Sequence, residues 1–282
     1  MIANSKPGLI LLLVAVFALN LAETSWETSL RTGSTISPAD ERGAYAVRQL
    51  EPSFIDFEFH DRTPAWMVYA HSTAYFVLFP ALAIGVFVAL GLRRELAPFR
   101  VLCLAVAIDY LATLPWFLFF PVPERWSYPE SSAILLSDQW TSMFIQSIRP
   151  MSGLNNSFPS THTSLTVILV VVCWLFHVRL RATVTALGAM VIMATFVLGI
   201  HWLPDIVAGL AIGLLSVAIA WRCTDTSERP ELTRLVEWSV SSRAPVRPAG
   251  APDRAGDFAP APAVLLRRRY GDGQRLSFDR PR

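Results

Sequence analysis

Asn155 to Asp205 reads NNSFPSTHTSLTVILVVVCWLFHVRLRATVTALGAMVIMATFVLGIHWLPD, and the placing of its polar residues decides the fold. Two apolar runs, Thr161 to Val178 and Leu180 to Ile200, meet at a basic turn around Arg179 and Arg181. Their outer ends carry capping residues, two histidines and an aspartate. An α-helix rises about 1.5 Å per residue, so about 20 mostly apolar residues cross a hydrocarbon core roughly 30 Å thick. Both runs are of that order, which predicts two antiparallel membrane helices rather than core elements of a water-soluble domain.

Working outward, four more runs have the same character: Gly8 to Ala22, Ala65 to Leu92, Phe99 to Phe120 and Pro204 to Trp221. The expected fold is therefore all-α, a polytopic membrane helix bundle with about six transmembrane helices. Composition agrees, because 53% of the 282 residues are hydrophobic and only 16% charged, and the mean hydropathy is +0.42. Ordinary globular chains are roughly a quarter charged. The organisation read from these runs is a membrane anchor over residues 1–22, a polar segment over 23–63 with a short helix around Ala39 to Leu50, a five-helix core over 64–221, and a disordered Arg/Pro-rich tail over 222–282. The first run follows Lys6 and could serve as a signal peptide, but Asn20 and Ala22 make a poor small-x-small cleavage site, so an uncleaved anchor is expected. No internal repeat is visible.

Positive residues in short loops mark the cytoplasmic side of a membrane. Here they gather at Lys6, at Arg93, Arg94 and Arg100, at Arg179 and Arg181, and from Arg222 onward. Alternating spans put all four sets on one side. Both termini are then cytoplasmic, and the 23–64 segment, the 121–160 segment and the turn His201-Trp202-Leu203 lie outside, in a plasma or inner membrane. Trp116, Trp126, Trp140 and Trp202 are expected at the outer interface as an aromatic belt. The tail carries twelve of the 23 arginines but also eight acids, so nucleic acid is not an expected partner. Arg267 to Arg269 are read as solvated, with contact to anionic lipid heads as the alternative. Cys103, Cys173 and Cys223 show no ligand spacing and imply neither disulfides nor a structural metal.

Ionisable groups are costly inside a membrane and invite a functional reading where they sit at the ends of spans. In Asn155 to His162, asparagine and serine are good N-caps and Pro159 suits a first helical position, so a helix should start there with His162 in its first turn. A helix N-terminus offers unpaired N–H groups and partial positive charge to an anion. His201 and Asp205, four residues apart at the next outer helix start, let a carboxylate reach an imidazole across one turn. A histidine so held has one nitrogen fixed as donor and the other free as base or nucleophile. A second histidine can protonate a leaving group, and the loop residues Arg125 and Arg149 can brace phosphoryl oxygens. The set points to phosphoryl transfer through a phosphohistidine. His71 is read as a hydrogen-bonded bundle residue, His177 as lying on the opposite side from this chemistry, and Asp109 as a structural hydrogen bond to a neighbouring helix.

Pro159-Ser160-Thr161-His162 and His201-x-x-x-Asp205 resemble the Pro-Ser-Gly-His core and the His-x-x-x-Asp ending of the type 2 phosphatidic acid phosphatase superfamily, over about Pro64 to Trp221. Members are typically six-helix membrane enzymes without a metal requirement. The resemblance implies His201 as nucleophile, Asp205 orienting it, His162 as general acid, and the Ser160 amide region as part of the phosphate site. It implies no cofactor and a lipid phosphate or diphosphate held in the bilayer as substrate. Two family cations are absent: the lysine position before Arg149-Pro150 is Ser142, and the Ser-Arg positions before the last histidine are Ala194 and Thr195. Arg125 is the candidate substitute. The Ser-Phe-Pro-Ser-x-His string is more similar to the branch that includes inositol phosphorylceramide synthases, which raises transfer of a phosphoalcohol group between lipids as the alternative to hydrolysis. Two histidines and one carboxylate could also bind iron or zinc, though no further outer acid or cysteine stands at ligand spacing. A non-catalytic lipid-binding protein is the alternative of another class. No span broken by mid-membrane glycines and no pair of similar halves suggests a transporter. The identity of the lipid and the oligomeric state stay open.

Overall fold

The structure is a computed structural model that describes residues 5–30, 38–51, 63–128, 131, 133, 135–139 and 156–224. Among these residues there are seven long helices, short 3-10 turns at Arg125–Ser127 and Leu136–Gln139, and no strand; the long helices are α1 (Lys6–Leu30), α2 (Pro38–Gln49), α3 (Ala65–Gly91), α4 (Ala97–Phe119), α5 (Thr161–Leu175), α6 (Arg181–Val197) and α7 (Leu203–Arg222). The expected runs are all helical. α1, α3, α4 and α7 are long and apolar enough to cross a membrane, whereas α5 and α6, with 15 and 17 residues, are apolar but shorter. Large apolar side chains such as Leu11, Trp66, Ile84, Phe119 and Leu215 point outward, a surface suited to hydrocarbon rather than water. The expected short helix around Ala39 to Leu50 is α2.

Three helix ends differ from the sequence reading, and each has a local cause. α1 continues past Ala22 to Leu30, because Glu23 is taken up by a hydrogen bond from Asn156 Nδ2 at 3.1 Å rather than ending the helix in solvent. α5 and α6 stop before the apolar runs do, since each ends in a reversal of the chain. His177 takes φ 50° and Val178 N–H returns to Cys173 O at 2.9 Å; Gly199 takes φ 75° and Ile200 N–H returns to Thr195 O at 3.2 Å. These are Schellman turns, in which a left-handed residue lets the chain fold back onto the last carbonyls.

The helices run up and down so that chain segments far apart in sequence share an end. At one end Lys6 Nζ donates to the carbonyls of Gly91 and Arg93, and Arg93 donates to Phe176 O at 3.0 Å. Leu9, Leu90, Ala97, Phe176, Val184 and Ala220 belong to the apolar cluster there. The four basic sets that the sequence places on one side thus start from, or end at, the same face of the bundle. At the other end meet the finish of α1, α2, the finish of α4, and the starts of α5 and α7. Ser157 N–H donates to Val122 O at 3.0 Å, beside the isolated bridge of Val122 with Asn156.

α7 lies against both α5 and α4, and α5 also packs on α6. Lipid tails are as apolar as side chains, so such helices associate through close packing and polar contacts rather than hydrophobic drive. Gly209 and Gly213 supply the close packing. A Cβ on Gly209 would stand 2.5 Å from Ser160 O, and one on Gly213 2.6 Å from Ser164 O. Inside the same contact Ser164 Oγ donates to Asp109 Oδ2 at 2.9 Å, the interhelix bond expected of Asp109. α3 carries a π-turn at Ala74–Leu78. Pro80 explains it, because proline has no N–H for the fourth carbonyl back and the turn widens to accommodate the ring.

Candidate active site

His201 is fixed by the turn that ends α6. Once Gly199 has reversed the chain, the N–H groups of both Ile200 and His201 donate to Thr195 O, at 3.2 and 3.1 Å. Arg125 and Trp126 then clamp the same turn from the loop after α4, their N–H groups donating to Ile200 O at 3.1 Å and Gly199 O at 3.0 Å. Pro204 follows in the first turn of α7, and Asp205, its third residue, folds back to accept from Trp202 N–H at 2.9 Å. That is a carboxylate capping its own helix start.

The imidazole of His201 is buried, and its Nδ1 stands 3.4 Å from Asp205 Oδ2. The direct contact is long. Between the two lies Ser157, whose hydroxyl donates to Asp205 Oδ2 at 2.6 Å and stands 3.1 Å from His201 Nδ1. Among the described residues His201 Nε2 has no hydrogen-bond partner, so the ring is held by one nitrogen and leaves the other unengaged.

His162 enters from the first turn of α5, its ring centre 6.0 Å from that of His201. It is oriented by packing rather than by polar contacts. Tyr75, from the π-turn, stacks on it with centres 4.5 Å apart and planes at 28°, and Phe79 leans on it at 4.8 Å. Neither nitrogen of His162 has a hydrogen-bond partner among the described residues. Two imidazoles with unengaged nitrogens therefore stand 6.0 Å apart, ring centre to ring centre, and the space between them lies where α3, α5 and the start of α7 meet.

Ser160 and Arg125 are near this space but occupied otherwise. Ser160 is the N-cap of α5, so Pro159 precedes the cap instead of opening the helix. Its Oγ accepts from Thr163 N–H at 3.3 Å and Thr163 O–H at 3.0 Å, and its own N–H donates to Asp205 O at 3.1 Å. The hydroxyl is thus spent on the first turn of α5, and the N–H ties α5 to α7. The Arg125 guanidinium is 2% exposed and forks onto Glu51, with Nη1 at 3.0 Å from Oε1 and Nη2 at 2.9 Å from Oε2. It also lies over Trp202, 5.2 Å from the ring centre. Burial pushes the guanidinium down to about 10, against the opposing pull of Glu51. Burial likewise raises the Glu51 carboxyl, with Arg125 opposing. Since Glu51 Oε1 also accepts from Leu203 N–H at 3.2 Å, this pair anchors the start of α7.

Trp202 is fully buried, its Nε1 donating to Pro123 O at 3.2 Å, and does not belong to an interfacial belt. His71 Nδ1 bonds Met67 O of its own helix at 2.8 Å. His177 lies with Arg181 at the basic end, away from His162 and His201. Arg149, Ser142, Trp140 and the tail beyond Thr224 lie outside the described residues, while Arg222, read as the first residue of the tail, still belongs to α7. Sequence reasoning missed Ser157, Glu51, Tyr75 and Phe79 as parts of the site. Ser157 was visible as the first residue of the Ser-Phe-Pro-Ser-x-His string; nothing local distinguishes the other three. Among the described residues no group of three or more His, Cys, Asp or Glu side chains is arranged to hold a metal ion.

No curated protein and no solved structure matches the chain. Residues 98–229, which contain Arg125, Ser157, His162, His201 and Asp205, match the family model of the PAP2 superfamily.

Proposed function

We propose that this protein is a membrane-embedded phosphatase acting on a lipid phosphate or diphosphate through a phosphohistidine. The observation that carries the reading is the convergence of His162 and His201, from α5 and the start of α7, on one space with a nitrogen of each unengaged. The PAP2 match over the same residues supports phosphatase or phosphotransferase chemistry.

In the first step His201 Nε2 bonds to phosphorus as the bond from phosphorus to the leaving oxygen breaks, and that oxygen takes a proton from protonated His162. In the second, neutral His162 takes a proton from water whose oxygen bonds to phosphorus, and the phosphorus–nitrogen bond breaks. His162 returns to its protonated form and His201 to neutral imidazole. Nucleophile and acid must therefore start in opposite protonation states, which calls for a bell-shaped pH profile. Arg149 is the remaining candidate for bracing the phosphoryl oxygens. The lipid tail lies along the apolar helix surface, and the site opens at the end opposite the basic cluster, the outer leaflet by the positive-inside reasoning.

If a lipid or polyol hydroxyl replaces water in the second step, the same residues perform transfer. The Ser-Phe-Pro-Ser-x-His string favours keeping this second reading. The test is phosphate release by detergent-purified protein from phosphatidate, isoprenyl phosphates and isoprenyl diphosphates, with EDTA present, beside His201→Ala. Release that disappears in the variant supports the hydrolase. Folded protein that releases none from the whole panel overturns it in favour of transfer, and activity abolished by EDTA in the wild type points to a metal instead.

A further inference from the structure

Ser157 is 1% exposed and its hydroxyl lies between the two groups that define the nucleophile, 2.6 Å from Asp205 Oδ2 and 3.1 Å from His201 Nδ1. A serine hydroxyl has one proton to give and lone pairs to accept with. At 2.6 Å from a carboxylate oxygen, that proton goes to Asp205, a charge-assisted bond and the shorter of the two. The oxygen can then meet His201 only as an acceptor, so Nδ1 carries a hydrogen. Neutral imidazole has one N–H, and Nε2 is left with its lone pair. The direct route from Nδ1 to Asp205, at 3.4 Å, is too long to impose this by itself.

We infer that Ser157 is a positioning residue of the nucleophile, which selects the Nδ1–H tautomer of His201 and links it to Asp205 through a relay of two hydrogen bonds. This rests on the phosphohistidine reading. No proton need leave the relay during attack: Nε2 bonds to phosphorus, Nδ1 keeps its hydrogen, and the charge that develops on the ring faces Asp205 across the hydroxyl. Ser157 is itself set by the backbone, its N–H donating to Val122 O at 3.0 Å in the short bridge between the loop after α4 and the start of α5. The first serine of the Ser-Phe-Pro-Ser-x-His string thus acts on the nucleophile, whereas the second, Ser160, caps the helix that carries the acid.

The experiment compares wild type, Ser157→Ala, Ser157→Thr and His201→Ala in detergent. Ser157→Ala should lower kcat by about 10- to 100-fold, the size of one lost hydrogen bond to a group that becomes charged, with KM within about twofold. Ser157→Thr, which keeps the hydroxyl, should recover most of the loss. Nitrogen-15 chemical shifts of labelled histidine, with His201→Ala assigning the signal, should show the Nδ1–H form in the wild type and a mixture in Ser157→Ala. An active wild type with a folded Ser157→Ala of unchanged kcat overturns the role of Ser157 alone. A wild type inactive on every substrate overturns the phosphatase reading instead, and Ser157 is then judged by the tautomer, where an unchanged His201 signal in Ser157→Ala overturns the relay.

Discussion

α5 and α6 end in the same Schellman turn at opposite ends of the bundle, and histidines serve the two turns differently. At the basic end His177 itself occupies the left-handed position, φ 50°, and its ring lies in an exposed contact with Arg181. At the other end glycine takes that position, and the histidine comes two residues later, buried and held by Ser157 and Asp205. The backbone device is the same. What differs is burial and the chemistry of the partners: a cation beside an exposed ring does nothing to free a nitrogen for reaction, while a carboxylate and a hydroxyl on one nitrogen leave the other available. Position at a helix end does not by itself leave a histidine buried with one nitrogen held and the other unengaged.

Activity should be lost with the buried histidines and not with the exposed one. His201→Ala should reduce phosphate release by at least about a thousandfold, and His162→Ala by about a hundredfold or more, as expected for loss of a nucleophile and of a general acid. Wild-type turnover in either would sink the corresponding role. Arg125→Ala should cost about 3 to 5 kcal/mol, because it leaves the Glu51 carboxylate buried without its partner. Unfolding in detergent measures this; a raised KM with unchanged stability would instead return Arg125 to the phosphate. Gly209→Ala forces a methyl against Ser160 O and should cost about 1 to 3 kcal/mol while moving His162 away from His201.

Two smaller effects concern stability at the two ends. Burial raises the folded-state Glu51 carboxyl above the ordinary 4.5, so its contribution to stability is present below that value and lost as pH rises through the raised one. Thermal midpoints of the wild type should therefore fall, relative to those of Glu51→Gln, as pH is taken from about 4 to about 8. A parallel course would mean that the pair with Arg125 outweighs burial. At the basic end, His177→Gly relieves the left-handed strain and should raise stability by up to about 1 kcal/mol with activity unchanged. A loss of activity there would deny that the two ends differ in function.

Much of the site is legible in the chain because its signals are local. Pro204 announces the start of α7, Ser160 the start of α5, and the interval from His201 to Asp205 spans one helical turn. The misreadings concern residues whose role depends on distant partners. Arg125 looks like a free outer-loop cation, and only folding brings it to Glu51, 74 positions away. Trp202 looks interfacial because its neighbours in sequence are polar, and is buried because α2 and the loop after α4 close over it. Gly209 and Gly213 stand four apart in α7, a small-residue spacing that marks a close helix contact, but the spacing does not say with which helix.

The membrane-helical architecture, the six apolar helices and the gathering of basic residues at one end follow from the chain alone, since hydropathy, helix rise and capping act over a few residues at a time. Contacts between separate elements set which nitrogen of His201 is held, that Ser157 holds it, that Tyr75 from a π-turn and Phe79 just after it orient His162, and that Arg125 and Ser160 are engaged elsewhere. Hydrogen bonds depend on tenths of an ångström between separate helices, and those separations are set by glycine contacts and chain reversals that no local pattern of residues measures.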